Sequence, residues 1–302
     1  MANYCVLFNP LAGSGHGAET AKKIEEVMTD AQIRYEDVTR ITDMKAFLKD
    51  LPADETPILT GGDGTINRFV NSIDGQDPGR EILYYPAGTG NDFLNDLGKK
   101  VGDKPFPLTP YLVDLPVVTV KGETSYFLNG IGYGIDGYCC EVGDKMREKS
   151  TEPVNYTAIA IKGLLFHYKR TNADVTVDGV TKHYKHVWLS PTMHGRCYGG
   201  GMICAPAQDR LSDKRTVSNM TMTGLSKIKT LLVFSTIFKG EHIKHKEMVT
   251  ITEGYEVTVK FDRPTALQID GETVIGVTEY TVCSVKSPKH PQYKGDKVGA
   301  AV

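Results

Sequence analysis

The sequence predicts an α/β N-terminal half with a mostly parallel sheet, followed by a mostly antiparallel β half. Three observations carry that reading. Over the first hundred residues or so, short apolar runs alternate with stretches of helical spacing, an order that implies right-handed crossovers onto a parallel sheet. After Lys99 the composition shifts, and Pro105, Pro107, Pro110 and Pro116 crowd a stretch unsuited to helix. Beyond it strand-like pieces dominate, with Asp178-Gly179 as a hairpin signal between two of them.

The elements follow in order. Residues 4–8 form an apolar first strand, and a Gly-rich turn, Asn9-Pro10-Leu11-Ala12-Gly13-Ser14-Gly15-His16-Gly17, follows it. Ala21, Ile24, Val27 and Met28 then recur at helical spacing. A strand near 33–38 and a helix near 43–49 come next. Two strand–turn–helix units close this half. In the first, Ile58-Leu59 leads into Gly61-Gly62-Asp63-Gly64-Thr65, and Ile66, Phe69, Val70 and Ile73 continue as a helix. In the second, Ile82-Leu83-Tyr84-Tyr85 leads into Pro86-Ala87-Gly88-Thr89-Gly90-Asn91-Asp92-Phe93, with Leu94 and Leu97 after it. In the second half, strands are expected near 117–120, 126–128, 175–177, 186–189, 257–261 and 266–269, and helices near 156–168 and 226–238. The tail from Ser287 is rich in Lys, Pro and Gly and is either loose or packed back on the first domain.

The 302 residues suffice for two domains or one large one. A net charge of −2 argues against strong nonspecific binding to nucleic acid. Apolar runs such as Leu231-Leu232-Val233-Phe234 are far too short for a membrane span. The opening residues lack the basic and long apolar regions of a signal peptide and read as a strand. Six scattered cysteines without a C-x-x-C pair read as reduced thiols in a cytosolic protein. The expected location is therefore cytoplasmic, with peripheral contact at a membrane through the basic-ended amphipathic segment 227–239 as the alternative to simple packing on a sheet.

The two glycine-punctuated acidic turns carry the chemistry. Glycines at a strand-to-helix turn let backbone N–H groups approach an anion, and the helix N-terminus adds positive character. A carboxylate there makes sense if a divalent cation sits between it and phosphates. The loop at Asn9 reads as a phosphate loop with Ser14 and backbone N–H donors, or as a plain turn, and it lacks the Gly-Lys-Ser/Thr of a P-loop. Asp92 has a structural alternative, capping the helix that starts near Phe93, but the Gly-rich turn directly before it favours a functional role. Asp270-Gly271-Glu272 after an alternating run reads by itself as a hairpin turn. His242 and His245 lack the spacing of a helical metal pair and read as solvated.

Together these residues resemble the soluble diacylglycerol kinase catalytic family, lipid kinases that include the sphingosine kinases. The matching pieces are Asn9-Pro10 with its glycine loop, Gly61-Gly62-Asp63-Gly64-Thr65, Gly88-Thr89-Gly90-Asn91-Asp92-Phe93, Asn129 with Gly132 and Gly134, and Gln268-Ile269-Asp270-Gly271-Glu272. The resemblance implies a nucleotide-binding α/β kinase domain at 1–116 and 287–302, related to that of NAD kinases, and a β-sandwich lipid-substrate domain at 117–286. It implies ATP and Mg2+ as cofactors, with Asp63, Asp92 and Asp114 at the metal. Asn9, Pro10, Gly13, Ser14, Gly15, Thr39, Gly61, Gly62, Gly64, Thr65, Gly88, Thr89, Gly90 and Asn91 would bind nucleotide. Glu272 would be the general base, with Asp270 beside it and Asp63 completing the catalytic set. Because Glu272 comes from the other domain, closure would assemble the site. One departure is Asp213, followed by Lys214 where the family has glycine, which speaks against a second, structural magnesium site.

The expected partners are ATP, a lipid alcohol such as diacylglycerol and, transiently, a membrane surface. A homodimer is left open. Two other functions compete: an NAD kinase-like small-molecule kinase, and a nucleotide or lipid sensor without turnover.

Overall fold

The computed structural model describes residues 2–87, 91–150 and 154–295, Ser14 by its backbone only. The chain divides into two compact units, Met1–Leu115 and Pro116–Val302.

The first unit runs β1 (Ala2–Phe8), α1 (Ala12–Gly15), α2 (Gly17–Lys22), β2 (Ala31–Asp37), α3 (Met44–Asp50), β3 (Glu55–Gly61), α4 (Asp63–Ser72), β4 (Leu83–Pro86), α5 (Asp92–Leu97) and β5 (Phe106–Pro107). Its sheet has the order β2-β1-β3-β4-β5. The first four strands are parallel and β5 is an antiparallel edge. Both faces are covered, as a parallel sheet requires. Val6, Ile58 and Tyr85 pack on Ala21 and Ile24 on one face. The ring of Tyr84 meets those of Phe93 and Phe106 edge-on, at 6.0 and 5.7 Å. The helix expected from Ala21 to Met28 is shorter than its spacing suggests, because α2 tightens into a 3-10 turn at Lys23–Glu26. The Asp43 side chain caps α3 by accepting the Ala46 N–H at 2.9 Å.

The second unit contains β6 (Val117–Val120), β7 (Glu123–Tyr126), β8 (Gly130–Tyr133), α6 (Ile135–Arg147), α7 (Tyr156–Lys162), β9 (Thr171–Val177), β10 (Val180–Leu189), β11 (Thr192–Met193), β12 (Cys197–Tyr198), β13 (Met202–Ile203), β14 (Val217–Thr223), α8 (Lys227–Ser235), β15 (Val249–Gly254), β16 (Glu256–Ile269) and β17 (Glu272–Cys283). The pairings are antiparallel, giving a β-sandwich-like domain. The strand pieces expected at 257–261 and 266–269 are one strand, β16. Its ladder with β17 shifts register between Lys260 and Thr265, and Pro264 lies in that irregularity, where a missing N–H is tolerated. The early part of β16 pairs with β9 and the late part with β8, so the pairing order β16-β8-β11-β14-β10-β9 closes on itself. Ile131, Tyr133, Val175, Val259, Phe261, Leu267 and Tyr280 belong to one buried cluster of this sheet. Trp188, Met220 and Met222 form a second with residues of α6, α7 and α8.

Helix α6 is absent from the sequence expectation. Gly137 and Gly143 break its pattern, yet both are packing contacts: a Cβ at 137 would lie 2.0 Å from the Ala266 carbonyl oxygen, and one at 143 would lie 2.7 Å from the Tyr156 ring. The segment expected as a helix at 156–168 is α7 followed by a π-turn at Gly163–His167, and the one at 226–238 is α8 followed by a 3-10 turn at Thr236–Lys239. A correction concerns His242. It is buried, not solvated, with Nε2 3.0 Å from the Cys204 carbonyl oxygen, and burial lowers its pKa. The described part of the tail holds Lys289 2.6 Å from Glu256, and the His290 ring meets Tyr126 edge-on at 6.0 Å. All six cysteines are free thiols. Among the described residues no helix is long and apolar enough to cross a membrane.

Candidate functional site

In an open parallel sheet, ligands bind beyond the carboxyl ends of the strands, where the strand order reverses. Here the reversal lies between β1 and β3. A small recess sits there, lined by Asn9, Ala12, Gly13, Gly17, Thr20, Thr60, Gly61 and Ala87. Asn9 leaves β1, Thr60 and Gly61 end β3, and Ala87 follows β4.

Local chemistry shapes this recess. The Asn9 side chain accepts the Leu11 N–H at 2.9 Å, and its carbonyl accepts the Ala12 N–H at 3.0 Å, which turns the chain sharply after β1 through Pro10. Gly13 and Gly15 hold left-handed backbone with open space at their Cβ positions. A Cβ at Gly17 would strike the Asn9 carbonyl oxygen at 1.9 Å, and one at Gly61 would strike Thr65 Oγ1 at 2.3 Å. Gly62 precedes α4 and accepts the Thr65 N–H at 2.9 Å. Gly64 faces open space. Thr60 Oγ1 is buried and, among the described residues, has no hydrogen-bond partner.

Asp63 opens α4 and is buried, as is Asp92 at the start of α5. The structure brings the two together: Asp63 Oδ2 accepts the Asp92 N–H at 2.7 Å and Oδ1 the Phe93 N–H at 3.3 Å. The carboxylate that opens one helix thus caps the next. Tyr84 donates its hydroxyl to the Gly61 carbonyl at 2.7 Å, and burial, with the Asp63 charge, raises its pKa. Thr39 follows β2, and both its N–H and its hydroxyl donate to Asp37, holding the Asp37 carboxyl below its usual pKa. Asn91 is the cap residue of α5. Asp114 lies in left-handed backbone after the 3-10 turn Thr109–Tyr111. Gly88, Thr89 and Gly90 lie outside the described residues, as does the Ser14 side chain.

Among the described residues, no three His, Cys, Asp or Glu side chains are grouped as a metal cage. Magnesium is commonly held by one or two carboxylates together with substrate phosphates. The oxygen-only pair of Asp63 and Asp92 fits that mode, and the unpartnered Thr60 hydroxyl in a glycine-lined recess fits a phosphate.

In the second unit, Asp270 and Gly271 are the two turn residues between β16 and β17, both with left-handed backbone. Glu272 stands exposed at the start of β17, paired across the hairpin with Ile269. Asp270 Oδ1 accepts the N–H groups of Asn129 and Gly130 at 2.8 and 3.0 Å, and Oδ2 accepts that of Leu128 at 2.5 Å. The hairpin reading and the acidic-motif reading therefore describe one object, a turn whose aspartate pins the tip that carries Glu272.

The groups behind this turn were missed in the sequence. Buried Arg210 donates to the Leu128 carbonyl at 3.0 Å and to Asn129 Oδ1 at 3.1 Å. Buried His194, whose N–H bonds the Asn129 carbonyl at 2.9 Å, has a pKa lowered by burial and by the charges of Arg210 and Arg215. Asp136, at the start of α6, accepts the Tyr198 hydroxyl at 2.8 Å, and burial raises its pKa to about 6. The crowded glycine at 132, where a Cβ would lie 2.2 Å from Asp136 Oδ2, was the one available signal.

Comparison with known proteins agrees with this architecture. Residues 3–109 match the diacylglycerol kinase catalytic domain, and residues 129–286 match the YegS C-terminal NAD kinase beta sandwich-like domain. A Bacillus subtilis protein named "Putative lipid kinase YtlR" is 24% identical, over 95% of this chain and 98% of its own. A diacylglycerol kinase of Mycobacterium tuberculosis is 28% identical, over 81% of each. A crystal structure of a diacylglycerol kinase from Bacillus anthracis superposes with a TM-score of 0.61 at 16% identity, covering 94% of both chains, a likeness of fold. The chain belongs to the diacylglycerol kinase-like lipid kinase family.

Proposed function

We propose that this chain is an ATP-dependent lipid kinase that transfers the γ-phosphoryl group of ATP to the hydroxyl of a lipid alcohol such as diacylglycerol. The observation that carries the reading is the glycine-lined recess at the β1/β3 reversal, next to the Asp63 carboxylate at the head of α5. Backbone N–H groups of the turns at Gly13 and Gly62, with the Thr60 hydroxyl, would bind the phosphates. Asp63 and Asp92 would hold magnesium, which neutralises phosphate charge during transfer. Glu272 would accept the proton of the acceptor hydroxyl. Asp270 would position Glu272 through its hold on the Leu128–Gly130 backbone.

The test is incubation of the purified chain with γ-labelled ATP, magnesium, a panel of lipid alcohols and NAD. Label in an organic-extractable product supports the proposal. Label in NADP, or ATP binding without any phosphorylated product, sinks it.

A further inference from the structure

A buried arginine stands behind the hairpin tip that carries Glu272. Arg210 lies in the loop between β13 and β14 and is 5% exposed. A guanidinium keeps its charge in a protein, so burying one is costly unless hydrogen bonds and an opposite charge answer it. Its partners include the Leu128 carbonyl and Asn129 Oδ1. The loop is braced on either side of it. Gln208, also buried, donates through Nε2 to the Thr216 carbonyl at 2.8 Å and accepts the Ser218 hydroxyl at 2.6 Å. The Arg210 carbonyl accepts Arg215 Nη1 at 3.0 Å. Thr216 directly precedes β14 and Ser218 lies within it, so the arginine is carried on a loop tied to the sheet.

The guanidinium meets the Asp270 turn through a single peptide group. The Leu128 carbonyl takes Arg210 Nη1 at 3.0 Å, and the N–H of that same peptide, which belongs to Asn129, donates to Asp270 Oδ1 at 2.8 Å. Cation and carboxylate thus hold opposite ends of one peptide, and each polarises it in the other's favour. The Asn129 side chain takes the second prong of the guanidinium at 3.1 Å. Asp270 returns the contact with its own N–H, bonded to the Gly130 carbonyl at 3.2 Å, and the Gly271 N–H bonds Gln268 Oε1 at 2.6 Å. The path from Arg210 to the residue before Glu272 therefore runs through one peptide and one short side chain. After burial itself, the same arginine charge is the next cause of the lowered His194 pKa.

We infer that Arg210 is a positioning residue: it holds the 128–130 segment as the seat of the Asp270 turn and so fixes where Glu272 stands. It acts through the peptide and Asp270, not on substrate. The inference rests on the reading of Glu272 as proton acceptor and deepens it by naming the group that keeps the acceptor in place. Lysine is a poor substitute, because a single point donor cannot reproduce a planar fork that spans a carbonyl and a side-chain oxygen.

The test compares native protein with Arg210→Gln, which removes the charge, and Arg210→Lys, which keeps it. Amide deuterium exchange is read at Leu128, Asn129 and Gly130, with residues 257–260 of β16 as the internal standard. Arg210→Gln is expected to speed exchange at the three amides about tenfold or more while the standard stays near native, with Arg210→Lys between. In the lipid-phosphorylation assay, Arg210→Gln is expected to lower kcat about a hundredfold with KM for ATP near native. On a Glu272→Gln background it is expected to change the residual rate by less than about twofold. A residue acting through Glu272 has nothing left to lose there, whereas one that only loosens the fold slows both backgrounds alike. Three results overturn the inference: native exchange at 128–130 in both variants, a β16 standard that speeds by the same factor, or losses that multiply across the two backgrounds. If Arg210→Gln does not fold, Arg210→Lys carries the same comparisons, with a loss of about tenfold in kcat. Native protein without turnover on any lipid overturns the proposed function, and exchange alone then decides whether Arg210 holds the tip.

Discussion

The carboxylate of Asp63 accepts N–H groups from the head of α5, so removing it acts on that helix as well as on phosphate chemistry. Asp63→Ala is expected to abolish turnover and also to lower stability by about 1–2 kcal/mol, the usual scale for a lost helix cap. Asp63→Asn keeps one acceptor oxygen. It should recover most of the thermal stability while remaining inactive by several powers of ten, because the charge proposed to hold magnesium is gone. Melting curves and single-turnover rates on the two variants separate these contributions, and an active Asn variant would contradict the metal role. At the hairpin tip the division is different. Glu272 is exposed, so Glu272→Gln should leave the melting temperature and ATP affinity near native while the rate falls about a hundred- to ten-thousand-fold. Asp270→Ala leaves three backbone donors without their acceptor and should cost about 2–3 kcal/mol of stability. A Glu272→Gln rate within a few-fold of native would reduce this turn to ordinary structure.

At the scale of elements, α6 gives the sharpest expectation. Replacing a mid-helix glycine with alanine ordinarily stabilises by up to about 1 kcal/mol. At Gly137 the sign should reverse, because the new methyl would sit 2.0 Å from the Ala266 carbonyl oxygen in β16, and backbone there cannot yield cheaply. A lower midpoint in urea for Gly137→Ala checks this, and a higher one would mean that helix and strand can part. Gly137 also explains why α6 was not legible in the sequence: its role lies in a partner strand some 130 residues on, and local spacing carries no trace of it. Strands β1, β3 and β4 were legible, because each apolar run leads into a glycine turn with helical spacing behind it, whereas β2, which no glycine follows, was legible from the strand–helix alternation alone. The Asp178-Gly179 and Asp270-Gly271 turns were legible too, since left-handed backbone at two successive residues selects that dipeptide. The pieces expected at 257–261 and 266–269 are one strand, whose ladder accommodates Pro264 at an irregularity. Burial of His242 could not be read either, because the Cys204 carbonyl that meets it comes from a distant loop.

The whole molecule should carry an unusual pH signature from Asp136. Its folded pKa of about 6 lies above the ordinary value of 3.8, with desolvation as the main cause. The folded state therefore holds this proton more tightly than the unfolded chain. Its contribution is fully present below the unfolded pKa and is lost as pH rises through about 6, amounting to about 3 kcal/mol. Buried His194 and His242 act oppositely. Their pKa values are lowered, so their contribution is present above the unfolded value of 6.5 and is lost as pH falls through the folded one. The native curve thus mixes both signs, and the difference between native and Asp136→Asn isolates the carboxylate. Denaturant titrations between pH 4 and pH 7 should show the Asn variant gaining on native as pH rises, and parallel curves would contradict the assignment. The closed strand order has a consequence of another kind. Residues 257–260 and 267–269 of β16 have a ladder partner on both edges. Their amides can meet deuterium only when the unit opens as a whole, so they belong among the slowest to exchange. Glu272 stands three residues beyond this stretch, on a hairpin tip fastened at Leu128, Asn129 and Gly130. The carboxylate offered to solvent, the first residue of β17, thus stands one tight turn from the strand expected to exchange most slowly in its domain, and its position is inherited from global stability rather than from a loop.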